Sequence, residues 1–463
     1  MSLLDLNNHQ KIHIVGIGGA GMSAIAVVLK SMGFEVSGSD VRSSHILDRL
    51  QAQGMQIYLG HREENVLSSD LLTYSSAVPV SNPELLAATA RGVTVVPRSE
   101  ILAAISAMKS SLCVAGTHGK TTTTTMLGMI LAEAGLSPSL IVGGDVNEIG
   151  SNAIWGTGNF LVLEADESDG TFLRLMTDVA VVTSIEADHL DFYGSFDALQ
   201  DAYRRFIVNA VSGAVLCADD KVMTSMGLSG DRLYYYGTSD EADYQIRNFT
   251  PSKNGIAFDI VLESESLGRV DMPVFGVHNA RNATAAIVAS LLAGADFEDA
   301  VSALARFAGV ARRFEFRGEA KGVTFVDDYA HLPGEVKATL TAAKQLGANR
   351  TVTVFQPHRY SRTALLADDF GLAFNDADLL IVTDVYAAGE KPLPGVTGEL
   401  ISSAVRRNRS DMPVFYCSSR QEVVSLLKDT LCEGDLCLSL SAGDLSSLPE
   451  EIIGGWTGNS SDG

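Results

Sequence analysis

Short apolar runs, each broken by glycine or by a polar cluster, set the frame of this chain. Lys11–Gly16 reads as a strand that opens into GIGGAG, and a helical period follows through Leu29. Glu35–Asp40, Leu71–Ser75 and Val93–Val96 repeat the strand pattern. A second series begins at Leu112–Ala115, runs through GTHGKTTTTT into a helix ending at Glu133, and continues with apolar runs at Phe160–Leu163 and Val179–Thr183. A third comprises Thr324–Val326, Thr351–Phe355, Leu379–Val382 and Leu436–Leu440, which close in DDYAH, QPHRYSR, TDVYAAGE and SAGD. Strands alternating with helices predict parallel sheets, and an open α/β sheet builds its site at the carboxyl ends of its strands. The expected fold class is α/β in three domains, 1–107, 108–316 and 317–463. The Gly-, Ser- and Asn-rich tail after Pro449 is expected to fray.

Composition narrows the function classes. A chain of 463 residues with 46% hydrophobic positions fits a multidomain soluble enzyme and not a disordered chain. A net charge of −22 repels polyanions, which argues against nucleic acid and anionic membrane as partners. It does not oppose a phosphate ligand, because a few backbone N–H groups and one lysine override the global field locally. The five cysteines are scattered without a CxxC pair, which predicts a reducing compartment and buried structural thiols. MSLLDLNNHQK lacks a basic n-region and a long apolar h-region, and no apolar run is long enough to span a bilayer; the expected location is cytoplasmic.

Four groups of residues carry candidate chemistry. Gly116-Thr117-His118-Gly119-Lys120-Thr121-Thr122 lies between strand and helix, the setting of a phosphate loop: backbone N–H groups crowd the phosphates, Lys120 neutralises them and Thr121 holds Mg²⁺. No glycine stands five residues before Gly119, so the loop is a shortened variant. Gly16-Ile17-Gly18-Gly19-Ala20-Gly21, with Asp40 further on, resembles a dinucleotide fingerprint, although any diphosphate can sit on such a helix N-terminus. Glu164-Ala165-Asp166-Glu167-Ser168-Asp169 and Glu186-Ala187-Asp188-His189-Leu190-Asp191 are acidic strand ends that suit a hard cation, or alternatively serve as helix caps. Arg313, Asp327, Asp328, Tyr329, His331, His358, Arg359 and Arg362 gather basic and aromatic groups able to grip a small zwitterion, or to form surface ion pairs.

These strings, with the SSAV stretch at Ser75–Val78, VHNARNATAA, GVARRFE, FQPHRYSRT and DVYAAGE, stand in the order shown by the Mur ligases, which the chain resembles over nearly its whole length. The resemblance implies a Rossmann-like N-terminal domain for the UDP part of a nucleotide sugar, a central P-loop-type ATPase domain for ATP and Mg²⁺, and a Rossmann-like C-terminal domain for the amino acid. Position by position, Gly16, Gly18, Gly19, Ala20, Gly21, Ser39, Asp40, Ser75 and Ser76 would bind the UDP-sugar. Gly116–Thr122, Asn279, Asn282, Arg313 and Asp328 would bind ATP, and Thr121, Glu164 and His189 would hold the metal. Tyr329, His331, Arg359 and Arg362 would face the amino acid, with Lys120, Glu164 and His189 as the catalytic set. Arg204 and Arg205 occupy the region where relatives adding later amino acids carry a carbamylated lysine, which is similar to the alanine-adding branch. Leu332 and Gly334 replace the His and Thr usual after the first His of DDYAH, and Ser441 stands where Gly is common.

The implied activity is an ATP-dependent ligation of L-alanine to the carboxylate of UDP-N-acetylmuramate through an acyl phosphate, by a monomer or homodimer, with a hinge near Gly318. The rival readings are a recycling ligase that adds a tripeptide to the same muramate, an NAD-dependent oxidoreductase resting on the first glycine loop, and a non-catalytic nucleotide sensor.

Overall fold

The computed structural model describes residues 4–146, 151–252 and 254–457. Two compact units emerge. One is Met1–Phe249, Phe258–Met272 and Asn279–Ala308; the other is Thr250–Ala257, Pro273–His278 and Gly309–Gly463. Three α/β domains, each built on its own sheet, are distributed over them.

The first sheet contains β1 (Lys11–Val15), β2 (Glu35–Asp40), β3 (Gln56–Leu59), β4 (Leu71–Tyr74) and β5 (Thr94–Pro97) in the order β3-β2-β1-β4-β5, with every pair parallel. The chain leaves β1 to one side for β2 and to the other for β4, so the loop after β1 lies where a parallel sheet opens a crevice. Helix α1 (Ala20–Ser31) follows that loop and buries Met22, Ile25, Leu29 and their neighbours.

A charged network lies within this domain. Glu84 is fully buried. It accepts hydrogen bonds from Ser39 Oγ (2.5 Å), Asn65 Nδ2 (2.5 Å) and the Arg62 N–H (3.2 Å), with His13 Nε2 and His61 Nδ1 at 3.5 and 3.4 Å. Burial pushes its carboxyl up, but the contacts of His13, Ser39 and Asn65 outweigh that and hold it at about 2, below the ordinary 4.5. A carboxyl lowered on folding stabilises the fold above its unfolded pKa, and that contribution is lost as pH falls through the folded one. Glu84→Gln is therefore expected to show a shallower loss of Tm than the parent protein between pH 4.5 and about 2, as read by thermal melts across that window.

The second sheet contains β6 (Ser110–Ala115), β7 (Ser139–Val146), β8 (Ser151–Ile154), β9 (Phe160–Glu164), β10 (Val179–Val182), β11 (Gly213–Cys217), β12 (Leu233–Gly237), β13 (Tyr244–Ser252), β14 (Gly255–Leu262) and β15 (Glu265–Met272). Their order is β15-β14-β13-β12-β11-β10-β6-β9-β7-β8. Leu112–Ala115, Leu161–Leu163 and Val179–Val182 are buried throughout, as parallel strands covered on both faces must be, and this is why they read as unbroken apolar runs. Strands β7, β8 and β11–β15 have no counterpart in the sequence-based expectation. Strands β13 and β15 are partly exposed, with polar residues between their apolar positions, whereas β14 is mostly buried. Helices α2 (Lys120–Glu133) and α3 (Val277–Leu292) complete the parts that matter for the site. Trp155, just beyond β8, lies under the Lys109 ammonium at 4.3 Å from its ring centroid.

The third sheet contains β16 (Glu315–Ala320), β17 (Val323–Asp328), β18 (Arg350–Gln356), β19 (Leu379–Thr383), β20 (Val414–Cys417) and β21 (Asp435–Ser441) in the order β16-β17-β21-β18-β19-β20. Only β16 is antiparallel to its partner among these described pairs. Helix α4 (Pro333–Ala343) follows β17. Three expectations change here. The border at 316/317 falls inside β16, and Gly318 (φ +134°) is paired with Phe325 beside a register shift, so its conformational freedom serves a β-bulge within a sheet rather than a linker. The first part of the tail is helix α5, Leu448–Thr457, while 458–463 lie outside the described residues. Leu448, Ile452 and Trp456 recur every four residues on one face, Leu448 and Ile452 are buried, and the Trp456 ring meets Phe325 at 5.9 Å. Cys432 is exposed, whereas the other four cysteines are buried and all five are free. Among the described residues no helix is long and apolar enough to cross a membrane.

Candidate active site

In the first unit, β6 delivers the chain into Gly116–Gly119 and α2 starts at once. Gly116 (φ +134°) and Gly119 (φ +80°) hold conformations that L side chains rarely adopt. A Cβ on Gly116 would lie 2.2 Å from Thr183 Oγ1, and one on Gly119 would lie 2.4 Å from Asn282 Oδ1. The loop is stitched to the segment after β10: Thr117 N–H donates to Ser184 O (2.9 Å), His118 N–H to Ser184 Oγ (3.0 Å) and Glu186 N–H to Thr117 Oγ1 (2.8 Å). His118 Nε2 is 3.1 Å from Glu186 Oε2. Gly119 caps α2 without a side-chain hydrogen bond, and the first turn holds no acidic residue, so the amides of Lys120, Thr121 and Thr122 leave a positive helix end for an anion.

Lys120 folds back over this end and donates to Gly116 O (2.5 Å) and Glu167 Oε1 (2.9 Å). Burial pulls its ammonium down, but the carboxylates of Glu167, Asp166 and Glu164 outweigh that and hold it above the usual lysine range. The group is a cation at neutral pH. Thr121 Oγ1 donates to Glu164 Oε2 at 3.0 Å, and the Gly143 N–H reaches the same oxygen at 2.7 Å. Among the described residues no three His, Cys, Asp or Glu side chains form a metal-binding group. The hydroxyl–carboxylate pair nevertheless fits Mg²⁺, a hard ion that takes few protein oxygens and completes its shell with water and nucleotide. His189 opens the short helix Leu190–Tyr193 in a left-handed conformation (φ 53°), with its Nε2 3.4 Å from Asp188 Oδ2. Asn282, on α3, lies against Gly119 and donates to Asn279 Oδ1 at 3.4 Å, and Arg281 anchors the same helix to Asp219 at 2.5 Å.

The glycine loop after β1 has a comparable form. Gly16 (φ +78°) and Ile17 donate their N–H groups to Ser39 O at 2.9 and 3.1 Å, and Gly18 N–H donates to Asp40 Oδ2 at 2.9 Å. Gly19 caps α1 without a side-chain bond, Ala20 begins the helix, and a Cβ on Gly21 would press on Arg98 at 3.2 Å. Ser39 is buried with its hydroxyl in the Glu84 network, so it shapes the loop from behind. Ser75 follows β4 and Ser76 is exposed.

In the second unit the candidate residues gather at the carboxyl ends of β17, β18 and β19. Tyr329, His331, His358 and Tyr386 form a chain of rings with successive centroids 5.3, 5.6 and 5.7 Å apart. Arg312 and Arg313 lie over Tyr329, and Arg313 is 3.5 Å from Glu335. Arg362 Nη1 is 3.1 Å from His358 Nδ1. Arg359 takes a left-handed backbone (φ +69°), donates its N–H to Tyr386 O at 2.8 Å and keeps a buried Nε with no hydrogen-bond partner among the described residues. Such an orphaned guanidinium donor fits a carboxylate ligand. Burial holds His331 and His358 down at about 4, so both rings are neutral at pH 7. Asp328 is pushed up to about 6 by burial; the N–H groups of Phe314 and Ala330 and the Thr339 hydroxyl occupy its oxygens. The departures at 332 and 441 have local explanations. Leu332 is buried at the N-cap of α4, and Glu335 receives the N–H groups of His331 and Leu332 (2.9 and 3.2 Å). Ser441 Oγ links Gln356 Oε1 to the Gly443 N–H, both at 2.8 Å.

Sequence reasoning passed over Glu84, Glu167, Arg98 and Tyr386. Glu167 stood inside a string already singled out, and Tyr386 inside DVYAAGE. Arg98 and Glu84 had no local signal, because the side-chain partners of Arg98 are 68 or more residues away and those of Glu84 19 or more.

Three family descriptions match: the Mur ligase family catalytic domain over residues 11–110, the Mur ligase middle domain over 114–290, and the Mur ligase glutamate ligase domain over 312–443. The chain is similar to the UDP-N-acetylmuramate–L-alanine ligase of Desulfosudis oleivorans, 44% identical over 96% of this chain and 98% of that one. It is equally similar to the ligase of the same name from Geobacter sp. strain M21, 45% identical over 96% and 97%. Among solved structures it resembles the UDP-N-acetylmuramate–alanine ligase of Thermotoga maritima, with a TM-score of 0.82 and 27% identity over 98% of this chain and 100% of that one. A murein peptide ligase from Psychrobacter arcticus shares the fold, with a TM-score of 0.70 at 23% identity over 96% and 98%.

Proposed function

The chain belongs to the Mur ligase family, and from that membership we propose that it joins L-alanine to the carboxylate of UDP-N-acetylmuramate with ATP, in cytoplasmic synthesis of peptidoglycan precursors. The observation that carries the chemistry is the uncapped N-terminus of α2, with Lys120 folded over it and Glu164 against Thr121. The tripeptide-adding and NAD-dependent readings are not favoured by the relatives, whose near-full-length likeness is to alanine ligases.

A muramate carboxylate oxygen attacks the γ-phosphorus of ATP, the bond to the ADP oxygen breaks, and an acyl phosphate forms. Lys120 and the amides of Lys120, Thr121 and Thr122 offset the charge that moves onto the transferred group and the leaving oxygen. Thr121 and Glu164, joined by His189 on the family resemblance, would hold Mg²⁺, which would supply further neutralisation of the nucleotide oxygens. Asn279 and Asn282 border the nucleotide base. The loop Gly16–Gly21, with Asp40, Ser75 and Ser76, holds the UDP-sugar. The amine of alanine then bonds to the acyl carbon, an N–H proton passes to solvent, and the tetrahedral intermediate expels inorganic phosphate. Arg359 and Arg362 take the alanine carboxylate, while the neutral rings of His331 and His358 and the Tyr329 phenol lie beside it. Neutral imidazoles add no positive charge to repel the substrate's amino group.

Phosphate release should require ATP, UDP-N-acetylmuramate and L-alanine together. Release that is equally fast with tripeptide, glycine or serine in place of alanine would defeat the assignment. Arg359→Ala is expected to raise KM for alanine by about tenfold to a hundredfold while KM for ATP moves less than about twofold, because a forked guanidinium–carboxylate contact is lost. Equal changes in both constants would remove Arg359 from the amino-acid site.

A further inference from the structure

The acidic stretch Glu164–Asp169, at the end of β9 and in the turn after it, carries four carboxylates. Glu164 meets Thr121 and the Gly143 N–H. Asp166 and Asp169 each lie 3.9 Å from Nη1 of Arg98, which reaches them from the first domain. Glu167 differs. It is 2% exposed, its Oε1 accepts from Lys120 at 2.9 Å, and its Oε2 is buried without a hydrogen-bond partner among the described residues. Its backbone carbonyl accepts from the Tyr193 hydroxyl at 2.5 Å, which fixes the segment in place. A buried anion is tolerated when a cation serves it, and the cation here is the one that the phosphate site uses.

We propose that Glu167 is a positioning residue that holds the Lys120 ammonium over the loop and shares it with the γ-phosphoryl oxygens once ATP binds. The proposal rests on reading Lys120 as a phosphate ligand. Lys120 is pinned at two points, Gly116 O and Glu167, so its long side chain enters the reaction already ordered. The same carboxylate competes with phosphate for the ammonium and repels the triphosphate. Removing its charge therefore has two opposite effects: nucleotide binds more tightly, and phosphoryl transfer slows because Lys120 is less well placed. A merely structural glutamate would weaken both.

The test uses the full chain and compares the parent protein, Glu167→Gln and Glu167→Asp. Affinity for a non-hydrolysable ATP analogue with Mg²⁺ is measured by calorimetry, and kcat by phosphate release. Glu167→Gln is expected to bind the analogue about tenfold more tightly and to lose about a hundredfold in kcat, with KM for UDP-N-acetylmuramate unchanged. Any other pairing of affinity and kcat overturns the proposal. Should Glu167→Gln fail to fold, Glu167→Asp decides, because it keeps the charge and shortens the reach. Parent-like affinity with kcat lowered about tenfold supports the role, and an unchanged kcat overturns it. Lys120→Ala, assayed in parallel, separates the two layers. Near-normal turnover there would sink the reading of the loop, whereas an impaired Lys120→Ala beside a silent Glu167→Gln would sink only the positioning role.

Discussion

Lys120→Ala is expected to lower ADP formation by about a thousandfold or more, while calorimetric binding of UDP-N-acetylmuramate stays within about threefold of the parent protein. The two effects separate because the groups occupy different sheets. The ammonium sits at the N-terminus of α2, and the glycine loop proposed for the sugar nucleotide follows β1. The substitution removes the cation nearest the transferred phosphoryl group. It also leaves Glu167 buried with no counter-ion. Breaking one partner out of a buried pair costs about 3–5 kcal/mol, so the variant should melt at a lower temperature even as it folds. Assays are best run well below that midpoint, where a rate loss reflects chemistry rather than unfolding. Turnover close to that of the parent protein would remove Lys120 from the reaction.

The second large effect is expected at Gly119. Its φ of +80° lies in the left-handed region, and an added Cβ would come within 2.4 Å of Asn282 Oδ1 and 3.1 Å of Asn282 Cγ. Alanine there carries about 1–2 kcal/mol of backbone strain, to which the displacement of Asn282 adds. Either the loop opens or α3 yields. Both move the amides of α2 away from a bound phosphate. Gly119→Ala should bind ATP at least about tenfold more weakly and lose stability by about 2 kcal/mol in denaturant unfolding. Unchanged affinity in a stable variant would mean that the tight turn is not used for nucleotide.

Interior strands such as β6, β9 and β10 were legible from the sequence because burial on both faces leaves no polar interruption, whereas β11 was missed although it is equally buried. Glu35–Asp40 matches β2 end to end, and the other expected strands differ from the observed ones only at their margins. The glycine turn between β6 and α2 was legible for a related reason, since its glycines, lysine and threonines sit within seven consecutive residues. Strands β13 and β15 were not, because partial exposure removes the apolar signal on which the reading depends, and β14 was missed although most of it is buried. The helix at Leu448–Thr457 was masked by Gly454 and Gly455, although its apolar face repeats at helical spacing. Contacts such as Arg98 with Asp166, or Ser39 with Glu84, depend on how sheets and loops fold together, and a linear reading holds no trace of them. The roles of individual site residues came from the ordered resemblance, and the geometry adds which of them touch: Thr121 with Glu164, and Gly119 with Asn282.

The two tryptophans fall one to each compact unit, Trp155 beside Lys109 and Trp456 against Phe325. Replacing either with phenylalanine leaves a chain whose tryptophan emission, selected by exciting beyond the tyrosine absorption, originates from a single unit. The pair of variants thus forms a built-in optical gauge, able to tell whether the two units unfold in one cooperative transition or in succession, without any attached dye.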